Sequence, residues 1–297
     1  MPRASPLQRM LDPLRVGKFV EKYFQRFPLK VSGSRGKFDF LFRQNEFQFG
    51  LDRATEIRAV FPQQWQARID AADIKQMMHA GATICVTGME QAHPKLLNAA
   101  RLVRAELNYP GEVTFRAYLS PPDRGFDLHF DARGTTTLQI AGTKRWWYSA
   151  EPALFFPLHN SGREPAGSER EYKVPKLNTL RSVWLRPGDL LCLPAGVWHC
   201  AKAGSTSLAL NMAFDHCGAG VFDSIMIMLH KLLMQDPAWR EPLPVAPHSK
   251  GLKLPLSVAS VLRERIDALQ MELSNIRDND TALRDAWQMS VRSKPPM

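Results

Sequence analysis

A mainly β core, flanked by an N-terminal α/β apron and a C-terminal helical segment, is the fold class this 297-residue sequence predicts. Three observations carry the prediction. From Val113 the chain breaks into the short β-rich runs VTFRAYL, TTTLQIA, KRWWYS, LRSVWL, DLLCLP and STSLALNMAF, punctuated by turn residues, the pattern of an antiparallel sandwich or barrel. Ahead of these runs, Phe19, Val20, Tyr23 and Phe24 return at three and four residue spacing, a helical period. Beyond Phe214 helical patterning resumes, around Val221 to Met234 and again from Ser257.

Taken in order, residues 7 to 110 read as mostly helical, interrupted at Pro28 and at Ser32-Gly33-Ser34. Within them Ala82 to Thr87 (ATICVT) has the apolar, β-branched texture of a buried strand, and Pro94 to Leu107 has a helical period. Three regions result: residues 1–110 as the N-terminal helical and mixed α/β part of a catalytic domain, 111–216 as its β core, and 217–297 as a helical region. Asn160 to Ser168, with its Gly and Ser, is expected to be a loop, and the proline-rich Glu241 to Leu256 a linker. In the last helix Val258, Leu262, Ile266, Leu269, Leu273 and Ile276 form one apolar stripe, suited either to a homodimer or to docking on its own domain.

Composition bounds the function. With 44% hydrophobic and 23% charged residues the chain has material for a sizeable core, which excludes wholesale disorder. Lys and Arg exceed Asp and Glu by 39 to 29, and the net charge of +10 favours an acidic substrate or partner. No nucleic-acid motif accompanies that basicity. Cys85, Cys192, Cys200 and Cys217 lack C-x-x-C spacing and the density of a disulfide scaffold, so reduced thiols in a cytoplasmic protein are expected. No run of about 18 apolar residues points to a membrane span.

The chemistry concentrates in two places. DLHFD sets His129 and Asp131 two apart in a β-rich stretch, where residues i and i+2 share a face, so both can grip one ion. VWHCAK supplies a third candidate ligand, His199. Two imidazoles and one carboxylate make the facial triad that leaves adjacent positions open on Fe(II) for a cosubstrate and O2, whereas zinc is more often closed off tetrahedrally or left one open site.

Gly188, Pro194, Gly196 and His199 stand as G-x5-P-x-G-x2-H, which resembles the second signature of the cupin barrel, with Ala203 where that signature has an asparagine. Lys144 lies fifteen residues after His129. With the segments GATICVTGMEQAHP and YLSPPDRGFDLHFDARGTTTLQIAGTKRWW, the chain resembles the JmjC-domain, cupin-fold oxygenases that use Fe(II), 2-oxoglutarate and O2, and among them the bacterial relatives of the ribosomal oxygenases. The resemblance implies a double-stranded β-helix of the cupin or jelly-roll type, and hydroxylation of a protein or peptide with succinate and CO2 as co-products. It implies His129, Asp131 and His199 as metal ligands and catalytic centre, and Lys144 as the cation for the far carboxylate of 2-oxoglutarate. A buried dicarboxylate needs such a partner to offset its desolvation.

Around that core, Arg116 and Tyr118 share a strand face and are candidates to hydrogen-bond the cosubstrate, as are Thr135 and Thr137 through their hydroxyls. Ser207, Ala209, Asn211 and Ala213 form a small face expected to turn towards the site, with Asn211 as its polar group. Arg145 should face away from Lys144, and Trp146, Trp147 and Trp198 are expected in core or rim packing. Two alternatives stay open: the same chemistry on a small molecule or amino acid, and a non-catalytic cupin-like binding module.

Overall fold

The computed structural model describes residues 4–62, 65–161, 173–215, 220–244 and 254–292. The expected loop at Asn160 to Ser168 and linker at Glu241 to Leu256 fall partly outside these residues, and Cys217 wholly so. The chain divides into two compact units, residues 1–216 and 217–297.

The first unit holds twelve strands among its described residues: β1 (Leu29–Val31), β2 (Glu56–Val60), β3 (Gln66–Arg68), β4 (Thr83–Thr87), β5 (Glu112–Ser120), β6 (Gly125–His129), β7 (Gly134–Ala141), β8 (Lys144–Pro152), β9 (Arg181–Leu185), β10 (Leu190–Leu193), β11 (Val197–Ala203) and β12 (Ser207–Asp215). They form an eight-stranded sheet ordered β1-β10-β7-β12-β5-β4-β2-β3 and a four-stranded sheet ordered β6-β11-β8-β9. From β5 to β12 consecutive strands lie in different sheets except β8 and β9, which pair, the jelly-roll arrangement predicted for the β core. Helices α1 (Pro6–Leu11), α2 (Val16–Lys22), α3 (Ile74–His79), α4 (Met89–Ala92) and α5 (Pro94–Glu106) precede β5.

Period-2 alternation divides the large sheet into two chemically different faces. Phe115 and Ala117 of β5, Ile84 and Val86 of β4, Leu138 of β7, and Leu208, Leu210, Met212 and Phe214 of β12 enter the main core with Phe19, Leu96 and Val103 from the helices. The opposite face carries Arg116, Tyr118 and Ser120, then Cys85, then Ser207, Ala209 and Asn211. A second apolar cluster joins Leu191 and Leu193 of the large sheet to Trp146, Leu185, Val197 and Ala201 of the small one. The functional residues thus sit on the face between the two sheets.

The expectation of a mostly helical residue 7 to 110 stretch is corrected by β1, β2 and β3, which with the expected β4 all belong to the large sheet. β2 (EIRAV) and β3 (QAR) are only five and three residues long and rich in charge, with Arg68 donating to Glu56 across the hairpin, so the alternation of Ile57 and Ala59 in β2 is too brief to mark a strand in sequence. The strand at Thr83–Thr87 and the helix at Pro94–Glu106 fall where they were expected.

The second unit comprises α6 (Val221–Leu233), α7 (Leu256–Arg277) and α8 (Asp280–Arg292). Its small core joins Met228, Leu229 and Ile276 with Leu232, Leu233 and Leu269. Of the apolar stripe of α7, Leu269 and Ile276 join this core, while Leu262, Ile266 and Leu273 remain exposed. Among the described residues no helix is long and apolar enough to cross a membrane.

Candidate metal and cosubstrate site

His129 ends β6, Asp131 follows two residues later, and His199 lies in β11. Strand pairing brings the two motifs together: in the β6–β11 ladder His199 lies directly opposite His129, and the Gly196 N–H donates to the Asp131 carbonyl at 2.9 Å. Gly196 adopts φ +79°, and a Cβ there would run into the Leu154 carbonyl, so the turn that delivers His199 requires glycine.

The imidazole centroids are 4.3 Å apart, and His199 Nε2 is 3.8 Å from Asp131 Oδ2. One ligand atom from each of the three residues lies within 4.8 Å of the others. Atoms bound to one ion at about 2.1 Å are about 3 Å apart, so closure on a metal requires shifts of only about 1 Å. In both histidines Nδ1 sits against a backbone carbonyl two residues earlier, Asp127 O at 2.7 Å and Val197 O at 2.8 Å. With the Nδ1 proton donated there, each Nε2 lone pair is left for a metal. Burial, reinforced by His129, lowers His199 to about 4, so its imidazole is neutral at physiological pH. Burial alone would raise Asp131, but His129, His199, Arg133 and Arg116 outweigh it and hold the carboxyl below its ordinary range. A carboxylate and two imidazoles facing a cavity fit a divalent first-row metal with open positions.

That cavity, about 260 Å³, opens between the sheets and has Lys144 in its wall. Lys144, the first residue of β8, is 1% exposed, and its Nζ donates to Ser120 Oγ at 2.9 Å. Thr83 in turn donates to Ser120 at 3.1 Å. Burial lowers Lys144 from 10.5 to about 8. No carboxylate pairs with it among the described residues, so this buried cation has a single polar partner.

Of the other expected residues, Arg116, Tyr118, Thr135 and Asn211 line the cavity. Burial raises the Tyr118 hydroxyl and keeps it protonated, and the Arg116 guanidinium hydrogen-bonds it. Thr137 does not line the cavity: it is 1% exposed and accepts from Asn211 Nδ2 at 3.1 Å, holding the amide that does. Ala209 lines the cavity beside Asn211, as the small face of β12 was expected to. Arg145 points away, over the Trp147 ring at 4.8 Å. Trp198 packs on Phe130, whereas Trp146 stacks on His199 at 5.9 Å and lines the cavity, closer to the chemistry than core or rim packing implied.

Sequence reasoning missed Ser120, Arg58, Arg133, Cys85 and Phe126. Arg58 and Cys85 reach the cavity from β2 and β4, and Arg133 from the two-residue link between Asp131 and β7. Ser120 had one available signal, since it continues the Arg116 and Tyr118 face by period 2.

Residues 92–219 match the JmjC domain family. The chain is 24% identical over 262 residues to the uncharacterized protein YxbC of Bacillus subtilis, covering 80% of this chain and 78% of that one. It is 25% identical over 224 residues to the bifunctional lysine-specific demethylase and histidyl-hydroxylase NO66 of Aedes aegypti, covering 69% of this chain but only 34% of that protein. Among solved structures it is similar to YcfD, a ribosomal oxygenase from Escherichia coli, in complex with cobalt and 2-oxoglutarate. The TM-score is 0.60 at 16% identity, over 94% of this chain and 71% of the other. A YcfD structure with cobalt and succinic acid gives 0.56 at 17% identity, over 94% and 69%. Residues 92–219 thus match a JmjC domain in family and in fold, and the His-Asp-His cluster within them could hold a metal ion.

Proposed function

We propose that the protein hydroxylates a side chain of a protein or peptide, with His129, Asp131 and His199 holding Fe(II) and Lys144 holding 2-oxoglutarate. The single observation that carries this reading is the Lys144 ammonium, buried with one hydroxyl partner in the wall of the cavity that the three ligand residues share. Such a cation calls for an anion, and the far carboxylate of a dicarboxylate coordinated by its other end supplies one. Bound iron supplies the O2 activation that converts R–H, O2 and 2-oxoglutarate into R–OH, succinate and CO2.

The chain's own residues bind, orient and exclude. Ser120 keeps the Lys144 ammonium aimed, and the protonated Tyr118 hydroxyl, Thr135 and Asn211 offer neutral hydrogen bonds to the cosubstrate, with Arg116 beside them. Trp146 and Phe126 supply apolar wall that limits water. Asn211 is oriented through Thr137, which makes Thr137 a positioning residue.

The protein-substrate reading draws support from the names of the relatives: a ribosomal oxygenase and a histidyl-hydroxylase act on proteins. We further propose a reducing, cytoplasmic setting, consistent with free Cys85, Cys192 and Cys200, and a homodimer closing over the exposed α7 residues Leu262, Ile266 and Leu273. Nucleic acid has no part in the proposal. The test is succinate formation from 2-oxoglutarate by Fe(II)-loaded protein exposed to O2. Turnover abolished in His129→Ala and shifted to a higher 2-oxoglutarate requirement in Lys144→Ala supports the reading. Failure of the metal-loaded wild type to bind 2-oxoglutarate favours the binding-module alternative.

A further inference from the structure

The charges around the cavity do not balance once it is filled as proposed above. A divalent metal, the Asp131 carboxylate, a 2-oxoglutarate dianion and the Lys144 ammonium cancel. Three guanidinium groups remain in the wall, those of Arg58, Arg116 and Arg133. Arg58 is met by Glu56 at 3.1 Å and donates to Gln66 at 2.9 Å. Among the described residues neither Arg116 nor Arg133 forms a salt bridge: Arg116 acts on the buried Glu90, which accepts from the Phe115 N–H, and both act on Asp131, already committed to the metal.

Both arginines are placed by the sheet. Arg116 is on β5, hydrogen-bonds Tyr118, and keeps a buried Nε with no partner. Arg133 sits between Asp131 and the first residue of β7, so the ligand's own backbone sets its distance from the metal. Two cations in a half-buried wall carry a desolvation cost that an incoming anion offsets and an incoming cation increases. Guanidinium forks also match carboxylate geometry.

Resting on the oxygenase reading, we propose that the side chain drawn to this metal is a carboxylate, aspartyl or glutamyl, presented by a peptide, with Arg133 and Arg116 as its anion clamp. The peptide source follows from size. At about 260 Å³ the cavity is below the ordinary range of about 300–1,000 Å³ for small-molecule sites, so beside the cosubstrate it admits one side chain while the rest stays outside. The +10 net charge steers acidic chains towards the protein.

The test uses full-length protein loaded with Mn(II) and 2-oxoglutarate under anaerobic conditions, so that binding is read without turnover. Calorimetry compares capped Gly-Gly-X-Gly-Gly peptides with X as Asp, Glu, Asn or Arg, together with capped aspartate alone. The expected result is that the Asp or Glu peptide binds about tenfold or more tighter than the Asn and Arg peptides, and tighter than capped aspartate. Arg133→Gln should remove the preference and Arg133→Lys restore part of it, while Arg240→Gln, an exposed control in the second unit, behaves as wild type. Equal or tighter binding of the Asn or Arg peptide, no binding by any peptide, or a preference that survives Arg133→Gln overturns the proposal. Capped aspartate binding as well as the peptide overturns the peptide source in favour of a free acid. The 2-oxoglutarate affinity measured in the same samples separates the two failures: no uptake defeats the oxygenase reading itself, and uptake without acid preference defeats only the clamp.

Discussion

The ligand cluster and the Lys144 wall of one cavity solve opposite electrostatic problems. At the cluster, a carboxylate and two imidazoles, one of them lowered to about 4, offer lone pairs suited to a cation. At Lys144, an ammonium 1% exposed leans on one serine and offers protons suited to an anion. At the cluster Asp131 has neighbours that compensate its burial, His129, His199, Arg133 and Arg116, and its carboxyl is held below the ordinary range. Lys144 has no such compensation, and its fall from 10.5 to about 8 corresponds to about 3 kcal/mol of stability given up at neutral pH. A fold that retains a buried cation at that cost holds it for something that arrives later.

The comparison can be broken at either region. The largest effect is expected at the ligands: His129→Ala or Asp131→Ala should remove high-affinity metal binding, read by metal titration, and all succinate formation with it. Next comes Lys144→Met, which should leave metal binding in place while weakening 2-oxoglutarate by about 10- to 150-fold, the worth of about 1.5–3 kcal/mol for a hydrogen bond to a charged group. The same substitution should raise the melting temperature of the cosubstrate-free protein, because it removes an uncompensated buried charge. A variant that melts lower would contradict the assignment of cost.

A smaller effect concerns pH. The unfolded Lys144 keeps its proton to about 10.5 and the folded one only to about 8, so between those values the unfolded chain binds more protons and this group's contribution to stability rises with pH. Below about 8 the penalty is full. Affinity for 2-oxoglutarate should run the other way, falling as pH passes about 8 because the free site loses its ammonium. Lys144→Arg, always charged, should flatten that fall, and titrations at several pH values check both. The smallest change is expected from Ser120→Ala, which removes the one hydroxyl that receives Lys144 and should weaken 2-oxoglutarate by about tenfold or less.

How much of this was legible in sequence follows from the same physics. His129 and Asp131 could be found because they are two residues apart on extended chain, and Lys144 because it opens a strand at a spacing shared with the JmjC family. The β core could be read because β5 and β12 alternate apolar with small or polar residues, one face for the helices and one for the site. Arg58 and Cys85 could not: they come from strands far from the motifs in sequence, and β2, to which Arg58 belongs, is a five-residue strand whose place between β4 and β3 no local pattern encodes. Arg133 was hidden differently, since a loop arginine beside a ligand has no pattern of its own. The face of Thr137 was correctly anticipated, but its depth in the sheet, beneath Asn211, depends on strand register that no local pattern encodes.

The most direct test of the central claim is calorimetric titration of Mn(II)-loaded wild type and Lys144→Met with 2-oxoglutarate, without O2. Binding to the wild type is expected, with a loss of about 10- to 150-fold in the variant and metal content unchanged. Equal affinity in the two proteins would mean that the buried ammonium serves something other than the cosubstrate, and the assignment of the cavity would fall with it.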